Sequence, residues 1–300
     1  MNSGTAVELQ LPEHFSLPET LGYLARSADE CLFSVEGGRV HRLLRVENTS
    51  VLAEIDGGAG RLRIRFPACE RVEESVQAEA ARCVREWFDL DRDLAPFYRR
   101  MERCPLMKDL ALEHRGLRVV GVTDLFEALC WAIMGQQIHL PFAYALKRRF
   151  VESYGGRRQW NGRTYWEFPL PEAIAGLAVE DLIKRKFTRR KSEYILGVAK
   201  RMAEGALSKS GLMGAGDFRT AERELLKIRG VGPWTAHYVL MRCLRDPAAF
   251  PVADAGLQNA VKKRLHLDRK PTVDELRELA ARWSGWEAYA TFYLWRSLAD

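Results

Sequence analysis

The sequence predicts an α+β protein, with a small antiparallel β-sheet domain at the N-terminus followed by a mostly α-helical domain. Two observations carry this expectation. Short apolar–polar alternations separated by glycine-bearing turns fill the first 72 residues, and from about Glu73 onward apolar residues recur at helical spacing. The change of period places a boundary between residues 1–72 and 73–300. A chain of 300 residues is long enough for one or two cores.

In the first part, residues 7–11, 31–35, 40–46, 51–55 and 62–66 read as strands, and 18–28 as a short helix. Gly37-Gly38 and Gly57-Gly58 supply turns. In the second part, Phe126, Leu129, Cys130, Ile133 and Met134 form the stripe of a buried helix face. Thr123 or Asp124 caps its start, with Glu127 placed to complete a capping box. Pro141 opens the next helix, which runs to about Tyr154, and Asn161-Gly162 between aromatic flanks predicts a hairpin over 157–168. Helices follow over 179–186 and 189–204, then a Gly- and Ser-rich connection at 205–216. Thr272-x-x-Glu275 is a capping box for a late helix, and 286–298 forms the last one.

Composition narrows the function. No run approaches eighteen apolar residues, so no transmembrane helix is expected. No basic segment leads into an apolar run and a cleavage site, so the expected location is the cytoplasm. A formal charge of +6 mildly favours a polyanionic partner. The six cysteines (Cys31, Cys69, Cys83, Cys104, Cys130 and Cys243) include no Cys-x-x-Cys pair and no zinc or iron–sulfur spacing. They read as reduced thiols. No His-x-x-x-His pair occurs, and metal catalysis is not expected.

Residues 226–236 read Leu-Lys-Ile-Arg-Gly-Val-Gly-Pro-Trp-Thr-Ala. Gly230 and Gly232 permit backbone conformations and close approaches that a side chain obstructs, and Pro233 suits the first position of a following helix. The amides around Gly230–Gly232 then face outward at the positive end of that helix, where a phosphate oxygen is a natural partner. Taken alone, the Gly-x-Gly turn reads first as a plain connection between helices. Asp254 lies 20 residues after Trp234, in Phe-Pro-Val-Ala-Asp-Ala-Gly-Leu. By itself it reads as the N-cap of a helix starting near Leu257.

The full string resembles the helix–hairpin–helix (HhH-GPD) DNA glycosylase superfamily, whose hairpin reads Gly-(Val/Ile)-Gly and is followed by Thr-Ala. The resemblance implies that Arg229, Gly230, Val231 and Gly232, the hairpin within 229–233, grip the DNA backbone. Arg229 stands where the family often carries proline. It also implies that Asp254 is the catalytic carboxylate, which stabilises the positive charge that builds on deoxyribose as the N-glycosidic bond breaks.

Members that cut the backbone carry a lysine where this chain has Trp234, so a monofunctional, water-using enzyme without lyase activity is implied. The four-cysteine cluster of the endonuclease III and adenine-mismatch branches is also missing. What remains resembles the bacterial DNA-3-methyladenine glycosylase II (AlkA-type) branch. The resemblance is carried by the N-terminal sheet, Met-Gly-Gln-Gln-Ile at 134–138, Arg-Lys-Ser-Glu-Tyr-Ile at 190–195, the hairpin, Asp254 and a Trp-rich last helix.

In that branch the residues matching Trp234, Tyr238 and Trp295 line an aromatic cleft suited to cationic, alkylated purines. Core packing is the plainer reading of each. Gln136 belongs to the Gly-Gln pair at the substrate. Gln137, where the branch carries leucine, is the candidate wedge filling the gap behind a flipped base. Both glutamines can equally end a helix, and the basic run 184–191 reads as a solvated face or a DNA track.

The expected partner is double-stranded DNA containing alkylated bases, bound by a monomer in the bacterial cytoplasm at the nucleoid. No organic cofactor or catalytic metal is implied, although hairpins of this kind can hold a structural monovalent cation. Two other readings are an oxidised-purine (8-oxoguanine-type) glycosylase and a non-catalytic DNA-binding protein that uses only the hairpin.

Overall fold

The computed structural model describes residues 6–46, 49–58 and 60–298. The first elements are β1 (Ala6–Gln10), α1 (Leu17–Leu24), β2 (Phe33–Glu36), β3 (Arg39–Val46), β4 (Thr49–Gly58), β5 (Arg61–Arg65), α2 (Glu74–Trp87), α3 (Ala95–Met101) and α4 (Pro105–Glu113). Then come α5 (Leu125–Gly135), α6 (Leu140–Tyr154), β6 (Arg157–Trp160), β7 (Arg163–Trp166), α7 (Pro171–Ala175), α8 (Val179–Lys184) and α9 (Arg189–Ala203). The chain continues through α10 (Lys209–Met213), α11 (Phe218–Leu226), α12 (Pro233–Arg242), α13 (Ala255–Arg264), α14 (Val273–Ala280) and α15 (Glu287–Arg296). No helix among the described residues is long and apolar enough to cross a membrane.

Contacts divide the chain into two compact units, each built from three stretches. Met1–Leu11, Leu24–Trp87 and Leu129–Ser208 form the first, and Pro12–Tyr23, Phe88–Ala128 and Lys209–Asp300 form the second. This division runs along different lines from a single cut between 72 and 73. The physical reason lies in β6 and β7. Tyr165 buries itself with Leu43 of β3 and Leu52 of β4, Arg158 donates to Ser50 O at 2.9 Å, and Arg45 pairs with Glu167 at 2.8 Å. Residues far beyond 72 therefore complete the core of the sheet.

The sheet of the first unit is antiparallel throughout, in the order β1-β5-β4-β3-β2. In β5, Leu62 and Ile64 are buried while Arg61 and Arg63 are exposed, the alternation of a strand with one solvated face. Residues 51–55 of β4 are buried on both faces. Helix α2 covers the sheet with Ala80, Val84 and Trp87, and the Arg42 guanidinium lies 4.4 Å from the Trp87 ring centroid.

Gly37 and Gly38 turn β2 into β3 with φ of 55° and 76°, the primed hairpin geometry that glycine permits. The turn expected at Gly57-Gly58 lies further on. Both glycines continue the β4 ladder, opposite Leu62 and Arg61, and the positive φ of 77° falls at Gly60. Asn161 and Gly162 turn β6 into β7 as expected, with φ of 48° and 73°.

The second unit is helical. Its core gathers Phe97, Trp283, Tyr289, Phe292 and Tyr293, all fully buried. Buried Arg118 is held by backbone carbonyls of His14, Asp89 and Arg92. Tyr98 and Tyr293 hydroxyls meet at 2.8 Å, and the Tyr293 hydroxyl donates to Leu117 O at 2.8 Å. Asp124 caps α5 by accepting from Glu127 N at 2.6 Å, and the Thr272–Glu275 capping box opens α14 as expected. The short helices α7 and α10 were not expected from the sequence. Each spans five residues, too few to show a helical period.

Candidate active site

All the geometry around Asp254 belongs to the second unit. Helix α11 ends at Leu226, and Ile228 N bonds back to Leu225 O at 3.0 Å. Val231 N then closes on Ile228 O at 3.0 Å across a Gly230 whose φ is 92°, which favours glycine there. Gly232 is the N-cap of α12, extended and exposed, with no side chain to offer the first-turn amides. Its φ of −95° is open to any residue and an added Cβ would meet nothing within 4 Å, so the fold itself does not require glycine there. Arg229 is exposed beside the turn. The result is a helix N-terminus presented to solvent behind a tight turn, electrostatically suited to a phosphate.

Along α12, Trp234, Tyr238 and Arg242 succeed one another at i, i+4 and i+8, and so share a face. The Trp234 and Tyr238 rings stack with centroids 5.7 Å apart and planes inclined by 29°. Trp295 of α15 approaches Tyr238 at 6.4 Å. Trp234 and Trp295 are half-buried, Tyr238 is buried, and the three rings form one aromatic surface.

The loop before α13 delivers Asp254 to this surface. His237 accepts from Phe250 N at 3.0 Å and lies 3.1 Å from Glu222, tying the loop to α12 and α11. Val252 N to Phe250 O and Asp254 N to Pro251 O then tighten the loop. The Asp254 carboxylate receives three donors. Oδ1 accepts from Leu257 N at 2.7 Å and from Trp295 Nε1 at 2.8 Å, and Oδ2 accepts from Trp234 Nε1 at 2.9 Å. Among the described residues no lysine or arginine forms an ion pair with it. Asp254 is thus the N-cap of α13 through one oxygen, and the indoles orient the group without preventing that role. A carboxylate held by neutral donors beside aromatic faces can attract a developing cation and orient a water.

Two contributors were not anticipated from the sequence. Gly256 sits in the first turn of α13, and a Cβ there would lie 3.0 Å from Asp254 Oδ1 and 3.3 Å from the Trp295 indole. A glycine inside a helix's first turn is the one local signal of it. Arg242 is buried beneath Tyr238. It donates to Val120 O at 2.6 Å and to the hydroxyls of Tyr23 and Tyr238 at 2.8 and 3.4 Å. Tyr23, Tyr238 and Phe292 surround its guanidinium at 5.4–5.6 Å, so π faces and a carbonyl take the place of a counter-ion.

The structure thus gathers Trp234, Tyr238, Asp254 and Trp295, with the hairpin leading directly into α12. Gln136 and Gln137 belong to the first unit. They follow the last residue of α5, with Gln136 half-buried and Gln137 exposed at a φ of 56°. In the basic run, Lys184 and Arg189 pair with Asp181 and Glu180, Lys191 is buried, and Arg185, Lys186 and Arg190 are exposed.

Comparison with known proteins gives the family. Residues 130–285 match the model of the HhH-GPD superfamily base excision DNA repair protein, and residues 6–124 match that of the AlkA N-terminal domain. The chain is 46% identical over 294 residues to a DNA-3-methyladenine glycosylase of Bacillus subtilis (strain 168), covering 97% of each chain. It is 29% identical over 180 residues to DNA-3-methyladenine glycosylase 2 of Escherichia coli (strain K12), covering 60% of each. A solved 3-methyladenine DNA-glycosylase from Archaeoglobus fulgidus shares the fold, with a TM-score of 0.81 at 24% identity over 96% of this chain and 97% of that one.

Proposed function

Because the chain belongs to the HhH-GPD superfamily of base excision DNA repair proteins, we propose that it is a monofunctional DNA glycosylase. In this reading it flips alkylated bases of the 3-methyladenine and 7-methylguanine type out of duplex DNA and removes them by hydrolysis. The observation that carries the reading is the Asp254 carboxylate, held by two indole N–H groups on an aromatic surface that begins with the residue directly after the hairpin.

The hairpin amides, with Arg229 beside them, bind a DNA phosphate, and the target nucleotide rotates out of the stack. Its base lies against Trp234, Tyr238 and Trp295, whose faces favour the positive charge of a methylated purine. As the glycosidic bond lengthens, positive charge develops on the deoxyribose, and Asp254 stabilises it and orients the attacking water. Trp234 stands where strand-cutting members of the family carry lysine. Its nitrogen is a hydrogen-bond donor to Asp254 and not a nucleophile, so water completes the reaction. Gln136 and Gln137 serve at the base and at the gap it leaves. The reading needs no organic cofactor or catalytic metal.

Methylated duplex DNA tests the proposal directly. The expected result is free methylated base and strands that nick only after alkali. Nicking without alkali would overturn the hydrolytic reading, and salt-sensitive binding without base release would leave only a DNA-binding module.

A further inference from the structure

Lys191 is a buried lysine without a carboxylate. Its ammonium donates to the carbonyl of Met134 at 2.7 Å, and among the described residues that carbonyl is its hydrogen-bond partner. The other buried lysine of the same unit, Lys147, is paired with Glu30 at 3.1 Å. Desolvating a cation to meet one neutral carbonyl costs stability that an apolar residue of similar size would not. The position of that carbonyl supplies a reason. Met134 lies in the last turn of α5, where carbonyls have no intrahelical partner and the helix dipole favours a cation.

The chain then makes an abrupt change of course. Gln136 N reaches back to Ile133 O at 3.3 Å, and Gln137 adopts a φ of 56°, a strained conformation for a residue other than glycine. Two residues later His139 caps α6, accepting from Phe142 N. The side chain displayed at the apex of this turn is Gln137, which is exposed.

We propose that Lys191 is a positioning residue, whose ammonium pins the end of α5 so that Gln137 projects as the wedge that fills the duplex when the target base leaves. The inference rests on the wedge role given to Gln137 above. It accounts for a lysine, rather than an apolar residue, at the third position of α9. The Lys191–Met134 bond joins residues 57 apart in sequence, so α9 holds the α5–α6 turn from outside it.

The test compares single-turnover release of 7-methylguanine from two duplexes, one with the lesion paired and one with the lesion facing a missing base. Unpairing costs little in the second, so a wedge matters mainly in the first. The ratio of the two rates does not depend on the fraction of protein that folds. Lys191→Met is expected to lower the paired-to-unpaired ratio about tenfold, and Lys191→Arg to restore it. Gln137→Ala, assayed alongside, is expected to lower the same ratio. An unchanged ratio in Lys191→Met, with Gln137→Ala lowering it, overturns the role of Lys191 alone. An unchanged ratio in Gln137→Ala removes the wedge reading and the inference with it.

Discussion

Asp89 and Asp254 lie in the same compact unit, and each accepts hydrogen bonds from three donors, but the donors differ in charge. Asp89 is buried and takes Arg92 Nε at 2.7 Å, the Tyr289 hydroxyl at 2.6 Å and Arg245 Nη1 at 3.3 Å. Burial, and then the charge of Asp89, push the Tyr289 phenol well above its ordinary range, so it stays a donor. Asp254 is half-exposed and takes two indoles and a backbone amide. Two guanidiniums neutralise the first carboxylate and turn it into a structural joint. The second is oriented by neutral groups, and among the described residues no cationic side chain pairs with it. The two carboxylates are alike in the number of their hydrogen bonds and differ in the charge of the donors, the feature on which the catalytic role proposed for Asp254 rests.

The contrast is broken most severely by removing each charge in turn. Asp254→Asn is expected to bind duplex DNA nearly as the parent does while base release falls by about 10³-fold or more. Asp89→Asn is expected to do the reverse, losing about 3 kcal/mol of stability in denaturant titrations with little change in turnover per folded molecule. Comparable turnover losses in both variants would dissolve the distinction.

The donors come next. Trp234→Phe and Trp295→Phe retain an aromatic face and delete one N–H each. Loss of a hydrogen bond to a charged acceptor is worth about tenfold in the rate constant. If ring contact alone mattered, single-turnover rates would stay at the parent level. Gly256→Ala adds a Cβ 3.0 Å from Asp254 Oδ1, which displaces the carboxylate from the indoles. Its expected cost is several-fold in rate at nearly unchanged melting temperature, since alanine otherwise favours the helix.

The smallest effect concerns a third carboxylate of the same unit. Among the described residues Glu287 Oε2 is buried without a hydrogen-bond partner, and burial, joined by the charge of Asp246, pushes the carboxyl pKa above the usual carboxylate range. A carboxyl raised in the folded state favours folding below its unfolded value, and that contribution is lost as pH climbs through the folded value. Glu287→Gln should therefore raise the melting temperature slightly near pH 8 and hardly at all near pH 4. Equal shifts at both would mean that ionisation is not the cause.

What was legible in the sequence follows the range of the forces involved. The hairpin, the Asp124 cap, the Thr272–Glu275 box and the Asn161-Gly162 turn rest on contacts within four residues, and each stands where expected. The turn at Gly57-Gly58 was misplaced because two glycines can continue a ladder as readily as leave it, and pairing with Leu62 and Arg61 decided the matter. The part that residues beyond 156 play in the core of the sheet is not legible, because no local pattern records that β7 packs against β3.

The sequence by itself determined most of the elements, the tight turn at the start of α12, and the identities of one carboxylate and three aromatic rings. Tertiary structure alone decided how these groups face one another. The Trp295 indole reaches Asp254 across 41 residues, Gly256 leaves it room, Arg242 lies under Tyr238, and Lys191 meets Met134 from another helix. Capping and turn formation are settled by neighbouring backbone groups, which a sequence displays. The direction of an indole N–H or a buried ammonium is settled by packing between helices, where the alternative is an unsatisfied polar group in the core.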